Sequence, residues 1–167
     1  MRILALDLGT RTGWALADRG HVESGIQVFD VKRGESPGMR YLRFRHWLAE
    51  VCHVGLGGPF AGERLAVRLI VYEQTHQRGG AATEVAAGFA TRVQEHGAQY
   101  GLEHAAVHTA TLKKWATGRG NADKPAMVAA AQARGYGGVD EDEADARLLL
   151  AYTLAELVPA PARSLGT

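Results

Sequence analysis

Cysteine is almost missing from this chain. Cys52 stands alone, so no internal disulfide can form, and no Cys/His spacing suits zinc. A reducing, cytoplasmic setting is the expectation. Long hydrophobic runs are missing too: none approaches the length of a membrane span. The N-terminus lacks the basic-then-apolar layout of a secretory signal, and strand-like residues begin at Arg2, so the fold is expected to start there without a leader. There is little net charge. At +1, charge alone does not announce a nucleic-acid binder. Neither an internal repeat nor a domain boundary is visible. The 167 residues therefore read as one domain over 1–158, with 159–167 as a loose tail after Pro159 and Pro161.

What the chain does have is a sorted charge distribution. From Thr109 to Arg134 the bases Lys113, Lys114, Arg119, Lys124 and Arg134 face one acid, Asp123. From Asp140 to Asp145 there are five acids, Asp140, Glu141, Asp142, Glu143 and Asp145, and no base. Such a pairing suits phosphates on one side and metal ions on the other.

The organising stretch is Arg2–Gly13. Ile3, Leu4, Ala5 and Leu6 form a short apolar run, as in a strand buried on both faces, and the run ends in Asp7. An acid there lies at the sheet edge where ligands bind in open α/β sheets. The competing reading is a solvated Asp at a turn. A second strand follows at Gly13–Ala17, a turn at Asp18–Gly20, and a third strand at His21–Phe29, an antiparallel meander. Asp30–Gly38 is a loop. Met39–Val54 is a predicted helix with Tyr41, Phe44, Leu48, Val51 and Cys52 on one face. Arg40 and Arg43 lie off that face, with Trp47 in line. They are candidate DNA contacts, although a solvated helix edge explains them more simply. A glycine-rich loop spans Gly55–Gly62.

Leu65–Tyr72 repeats the design of the first strand: an apolar run, then an acid, Glu73. Ala81–Gly97 is a helix rich in small residues, suited to close packing against a second subunit or against its own sheet. Glu103–His108 reads as a brief buried strand, and Thr109–Ala116 as a helix capped by Thr109. Thr117–Ala122 is a loop, and Asp123 caps a helix with Pro125 in its first turn. The last helix starts within Asp140–Glu143 and runs to about Val158. The order β-β-β-α-β-α-β-α-α-α implies an α/β fold with a mixed sheet and helices on both faces.

The carboxylates are the chemistry. If the two acid-ended strands are parallel neighbours, Asp7 and Glu73 emerge at one edge. Asp142 and Asp145 share a face of the last helix. Docking that helix through a stripe of Ala144, Leu148, Ala151 and Ala155 would bring them to Asp7 and Glu73. Four acids so close repel one another, which proteins tolerate mainly around divalent cations. An all-oxygen donor set without sulfur selects Mg²⁺ or Mn²⁺, and two such ions suit in-line displacement at phosphorus. Helix-dipole chemistry explains one or two acids at a helix start. It does not explain two upstream strands that each end in an acid. The loop Thr117–Lys124 fits a phosphate binder: Gly118 and Gly120 expose backbone N–H groups, Lys113, Lys114, Arg119 and Lys124 supply charge, and Asn121 lies among them.

Taken together, LDLGTRTG, VYEQ, LKKWATGRGNADK and DEADARLLLA resemble the RuvC-type Holliday-junction resolvases of the RNase H-like superfamily, over Arg2 to Leu157. The resemblance implies an RNase H-like fold with a five-stranded sheet, a homodimer, Mg²⁺ dependence, and paired nicks in branched, four-way DNA. It implies that Asp7, Glu73, Asp142 and Asp145 are the catalytic, metal-binding carboxylates. Asp7 would bridge both ions, with the Gly9–Gly13 turn as the place where a DNA backbone approaches them. Lys113 and Lys124 match lysines that support phosphate and transition-state charge, and Ala81–Gly97 matches the helix of the dimer contact. Two departures stand out. Thr75 and His76 occupy the place of an aromatic that wedges into the junction, and Glu141 or Glu143 are alternatives to Asp142 as fourth ligand. The divergence and compactness suit a phage-encoded relative, hence a bacterial or phage-infected cell.

Overall fold

The computed structural model describes residues 1–52, 67–74, 79–136 and 140–158. Its centre is a five-stranded mixed sheet. The strands are β1 (Ile3–Asp7), β2 (Arg11–Asp18), β3 (His21–Val28), β4 (Leu69–Glu73) and β5 (Glu103–Val107), in spatial order β3-β2-β1-β4-β5. β2 runs antiparallel to β1 and β3, whereas β1, β4 and β5 are parallel. The β2–β3 hairpin turns on Arg19 (φ 48°) and Gly20 (φ 85°), both in the left-handed region that a two-residue turn matched to strand twist requires.

Strand alternation divides the interior into two cores. Ile3 and Ala5 of β1, with Leu69 and Val71 of β4, face one layer; Leu4 and Leu6, with Ile70 and Tyr72, face the other. The second layer is built from α1 (Met39–Cys52) and α2 (Ala81–Tyr100). Its centre is aromatic: Phe44 stacks on Phe89 at 4.3 Å, and Phe29 meets Phe44 edge-on at 5.3 Å. The first layer holds α3 (Thr109–Thr117), α4 (Lys124–Ala133) and α5 (Glu141–Tyr152), which bury Leu112, Met127, Ala131, Ala144, Leu148 and Leu149. α5 ends in one π-helical turn, Thr153–Leu157. No helix among the described residues is long and apolar enough to cross a membrane.

The mixed sheet and its two helical layers agree with the sequence reading, and several local readings are corrected. β5 is the edge strand, with Glu103, His104 and Ala106 exposed, because no strand among the described residues pairs its outer side. The α5 stripe is Ala144, Leu148 and their neighbours. Ala155 falls in the π turn and is exposed, because one added residue per turn rotates it off the buried face. Trp47 joins the aromatic core, 5.6 Å from Phe29. Two glycines of α2 serve this chain's own packing. A Cβ on Gly88 would lie 2.4 Å from the Tyr41 ring, and one on Gly97 2.9 Å from the Leu102 carbonyl oxygen. The loop at 55–62, Thr75, His76 and the tail at 159–167 lie outside the described residues.

α5 lies across β1 and β2, and Gly13 is where they touch. A Cβ there would stand 1.9 Å from the carbonyl oxygen of Asp142. Gly13 is thus the seat of α5. Neither backbone can yield without lifting the helix, so Gly13→Ala is expected to lower stability by about 1–3 kcal/mol, read as a shift of the urea midpoint. An unchanged midpoint would show that α5 does not depend on this contact.

Candidate active site

The β1–β4 register runs from Ile3↔Leu69 to Leu6↔Tyr72, so Asp7 and Glu73 follow side by side at the same sheet edge. The turn after Asp7 is held by Thr12, which is fully buried. Its hydroxyl donates to the Gly9 carbonyl at 2.7 Å. α5 brings Asp142 and Asp145 over this edge, one turn apart. Asp140 caps the helix by accepting from the Asp142 N–H at 3.1 Å. Lys124, the first residue of α4, donates from Nζ to Asp145 Oδ2 at 2.9 Å and stands 3.6 Å from Asp142 Oδ1.

The electrostatics follow from that crowding. Burial, reinforced by the charges of Asp145 and Glu73, pushes the Asp7 carboxyl from 3.8 up to about 8, against the pull of Lys124. Glu73 is raised as well, first by burial; the Thr109 hydroxyl, Lys113 and Lys124 pull it back. Burial opposes the charge on Lys124, yet its hydrogen bond to Asp145 and the nearby acids hold its ammonium above the ordinary range. Among the described residues no trio of acids is already drawn in around one point at ion-coordinating spacing. Positive charge comes instead from Lys124 and from Arg11, which reaches Asp140 at 3.0 Å and Asp142 at 3.3 Å.

The donor set fits a hard divalent ion: it is all carboxylate oxygen, and at least one member resists ionisation without added positive charge. The three candidate acids at the start of α5 differ in what surrounds them. Glu143 accepts a short hydrogen bond from Ser24 and pairs with Arg147 at 3.5 Å, which engages it with β3. Glu141 is exposed. Asp142 alone of the three touches Lys124.

The basic residues divide. Lys113 donates from Nζ to the Ala122 carbonyl at 2.7 Å and so ties down the loop that ends at Lys124. Lys114, Arg119 and Asn121 are exposed beside it. Arg40 donates to Thr10 Oγ1 at 3.3 Å, next to the Asp7 turn. Arg43 is engaged elsewhere. It holds Glu35 through both guanidinium nitrogens, at 2.9 and 2.6 Å, and the Asp30 carbonyl at 2.8 Å. That pairing keeps the Glu35 carboxyl at about 2.

Thr109 is the main correction. The α3 cap is His108, whose Nδ1 accepts from the Ala110 N–H. The Thr109 hydroxyl instead donates to Glu73 Oε1 at 2.6 Å. No local pattern in the sequence signals the roles of Arg11, Thr12, Ser24 and Arg147. Apart from the i,i+4 pair of Arg147 with Glu143, their partners lie far along the chain or within the turn itself, and no spacing rule reports them. A depression lined by Asp7, Leu8, Glu73, Gln74, Ala82, Thr83, Ala86 and Thr109 opens onto the two strand-end acids.

Neither a protein-family model nor a curated protein matches the sequence. Solved structures do match. A Thermus thermophilus RuvC structure superposes with a TM-score of 0.65 at 17% identity, covering 93% of this chain and 96% of that one. T. thermophilus RuvC in complex with a Holliday junction substrate gives 0.64 at 19%, covering 89% and 90%. The fold is that of RuvC. Within this RuvC-type, RNase H-like fold, the acids occupy the carboxyl edge of the central parallel strands, with α5 closing over them.

The raised Asp7 carboxyl gives a pH dependence of stability. Between 3.8 and about 8 the folded chain holds a proton that the unfolded chain releases, so stability falls as pH rises through that window. Asn cannot ionise. In chelator, Asp7→Asn is expected to melt close to wild type near pH 4 and well above it at pH 8. Parallel melting curves across this range would contradict the assignment.

Proposed function

We propose that this chain is a metal-dependent, structure-selective endonuclease that cuts phosphodiester bonds in branched DNA, as a Holliday-junction resolvase does. The observation that carries the reading is the gathering of Asp7, Glu73, Asp142 and Asp145 around Lys124 on a RuvC-type fold. The solved relative bound to a Holliday junction supports the choice of substrate.

The four carboxylates would hold Mg²⁺, with Mn²⁺ as substitute and two ions per site. Bound there, the ions supply a water of lowered pKa and stabilise charge on the leaving 3′-oxygen. The chain's own residues do the rest. Asp7, between the strand-end and helix acids, is assigned as the shared ligand. Thr109 fixes the orientation of Glu73 through its 2.6 Å hydrogen bond. Lys124 neutralises Asp145 and lends positive charge to a phosphate drawn into the site. Lys113 keeps the 117–124 loop in place, so that Lys114, Arg119 and Asn121 face a DNA backbone, with Arg40 at the other rim.

Net charge of +1 supplies little attraction for unbranched duplex at moderate salt. Selectivity for a branched substrate follows if two copies act together, each nicking one strand. A dimer through α2 is part of this reading. Ala87, Thr91, Gln94 and Ala98 lie on its exposed face. All four acids being present counts against a non-catalytic DNA-binding role.

The test is cleavage of a four-way junction with Mg²⁺. Wild type is expected to cut, and Asp7→Asn to lose about 100-fold or more while remaining folded. No cleavage by either protein, or equal cleavage by both, would sink the mechanism. Duplex, flap and RNA–DNA hybrid run in parallel separate a resolvase from a nuclease acting on RNA or hybrid. A monomeric mass in solution would remove paired nicking.

A further inference from the structure

We propose that Arg11 contacts a substrate phosphate and that, before metal binds, it serves as the counter-ion of Asp142. The inference rests on the nuclease reading above and deepens it. Arg11 opens β2, just after the turn that leads out of Asp7. Its guanidinium spans two acids of the α5 start, with Nη2 3.0 Å from Asp140 Oδ2 and Nε 3.3 Å from Asp142 Oδ2. The other Asp142 oxygen faces Lys124 Nζ at 3.6 Å. Both oxygens of the fourth ligand are therefore met by cations.

The two cations differ in their ties. Lys124 has a close bond to Asp145, at 2.9 Å, whose side chain is only 11% exposed. Arg11 and Lys124 are equally exposed, at 52% and 51%, but the partners of Arg11, Asp140 and Asp142, are 43% and 26% exposed. Exposed pairs of this kind are weak and exchange readily. A divalent ion on Asp142 would compete with the guanidinium for Oδ2 and repel it. The freed guanidinium then stands beside the acids at the start of α5. A planar guanidinium at that place matches a phosphate in shape and charge.

A purely structural clamp on α5 is the competing account. α5 has other anchors: the Asp140 cap on Asp142, the contact at Gly13, and the Ser24–Glu143–Arg147 link to β3. Arg11 is therefore one of several ties that seat α5. The two accounts differ in sign. Removing a clamp weakens metal and DNA binding together. Removing a displaceable counter-ion strengthens the first and weakens the second.

The experiment uses the full chain, free of DNA, titrated with Mn²⁺ by calorimetry, together with four-way-junction binding in Ca²⁺ at several salt concentrations. Arg11→Ala is expected to bind Mn²⁺ several-fold more tightly than wild type. Its junction affinity is expected to fall several-fold, with a salt slope reduced by about one. Arg11→Lys, which keeps the charge but cannot bridge two acids, is expected to bind Mn²⁺ more tightly and to retain most junction affinity. Wild type that takes up no Mn²⁺ would overturn the metal-site reading and this inference with it. Wild type that binds Mn²⁺ alongside an Arg11→Ala protein that binds it no more tightly, or holds the junction equally well, overturns the role of Arg11 alone.

Discussion

The contact of the Asp142 backbone with Gly13 is the constraint on which the rest of this molecule depends. It sets α5 close enough to β1 for side chains of one turn to share space with Asp7. Nothing in the electrostatics favours that closeness, since four acids crowd together and burial makes ionisation of Asp7 and Glu73 harder still. The favourable terms lie further along the same helix. Ala144, Leu148 and Leu149 are withdrawn from water against Ile3, Ala5 and Val71, at about 25 cal/mol per Å² of apolar surface. Apolar burial along α5 holds together acids that would separate if left free.

Positive charge offsets part of the remaining repulsion. Lys124 enters from the first turn of α4, whose Asp123 cap fixes where the helix begins and hence where the ammonium stands. Arg11 comes from the strand beneath. The first turn of α5 contributes its own dipole, because Asp142 lies where backbone N–H groups are unsatisfied within the helix. The site is therefore a balance between a packed helix, a few cations and a set of acids. An activity carried by metal ions would act on that balance directly. Asp7 illustrates the tension: the residue assigned the largest functional part is also the one whose charge the fold accommodates least.

The architecture explains why the acids lie at one edge and why that edge is open. β1 and β4 are parallel neighbours in register, so their terminal residues emerge together. The outer layer of α1 and α2 packs through an aromatic centre and a close approach at Gly88. Of the described residues in that layer, the start of α2, at Ala82, Thr83 and Ala86, stands beside the acids. Small side chains there keep the depression accessible.

Much of this was legible in the chain itself. Two apolar runs that each end in an acid, the basic block before the acidic cluster, and the Asp123–Lys124–Pro125 helix start are local patterns. Local patterns survive in sequence because strand burial, helix capping and charge clustering act over a few residues. The aromatic face of α1 was legible for the same reason. The sequence by itself thus determined the element order, the strand-end acids and the helix that carries their partners. Only the tertiary structure decided that Gly13 seats α5, that Glu143 is held by Ser24 and Arg147, that Thr109 serves Glu73 and not its own helix, and that Arg11 faces Asp142. Apart from the i,i+4 pair of Glu143 with Arg147, each of these joins residues brought together by β-pairing or helix docking. Such contacts are set by close approach in three dimensions, which no periodicity along the chain encodes.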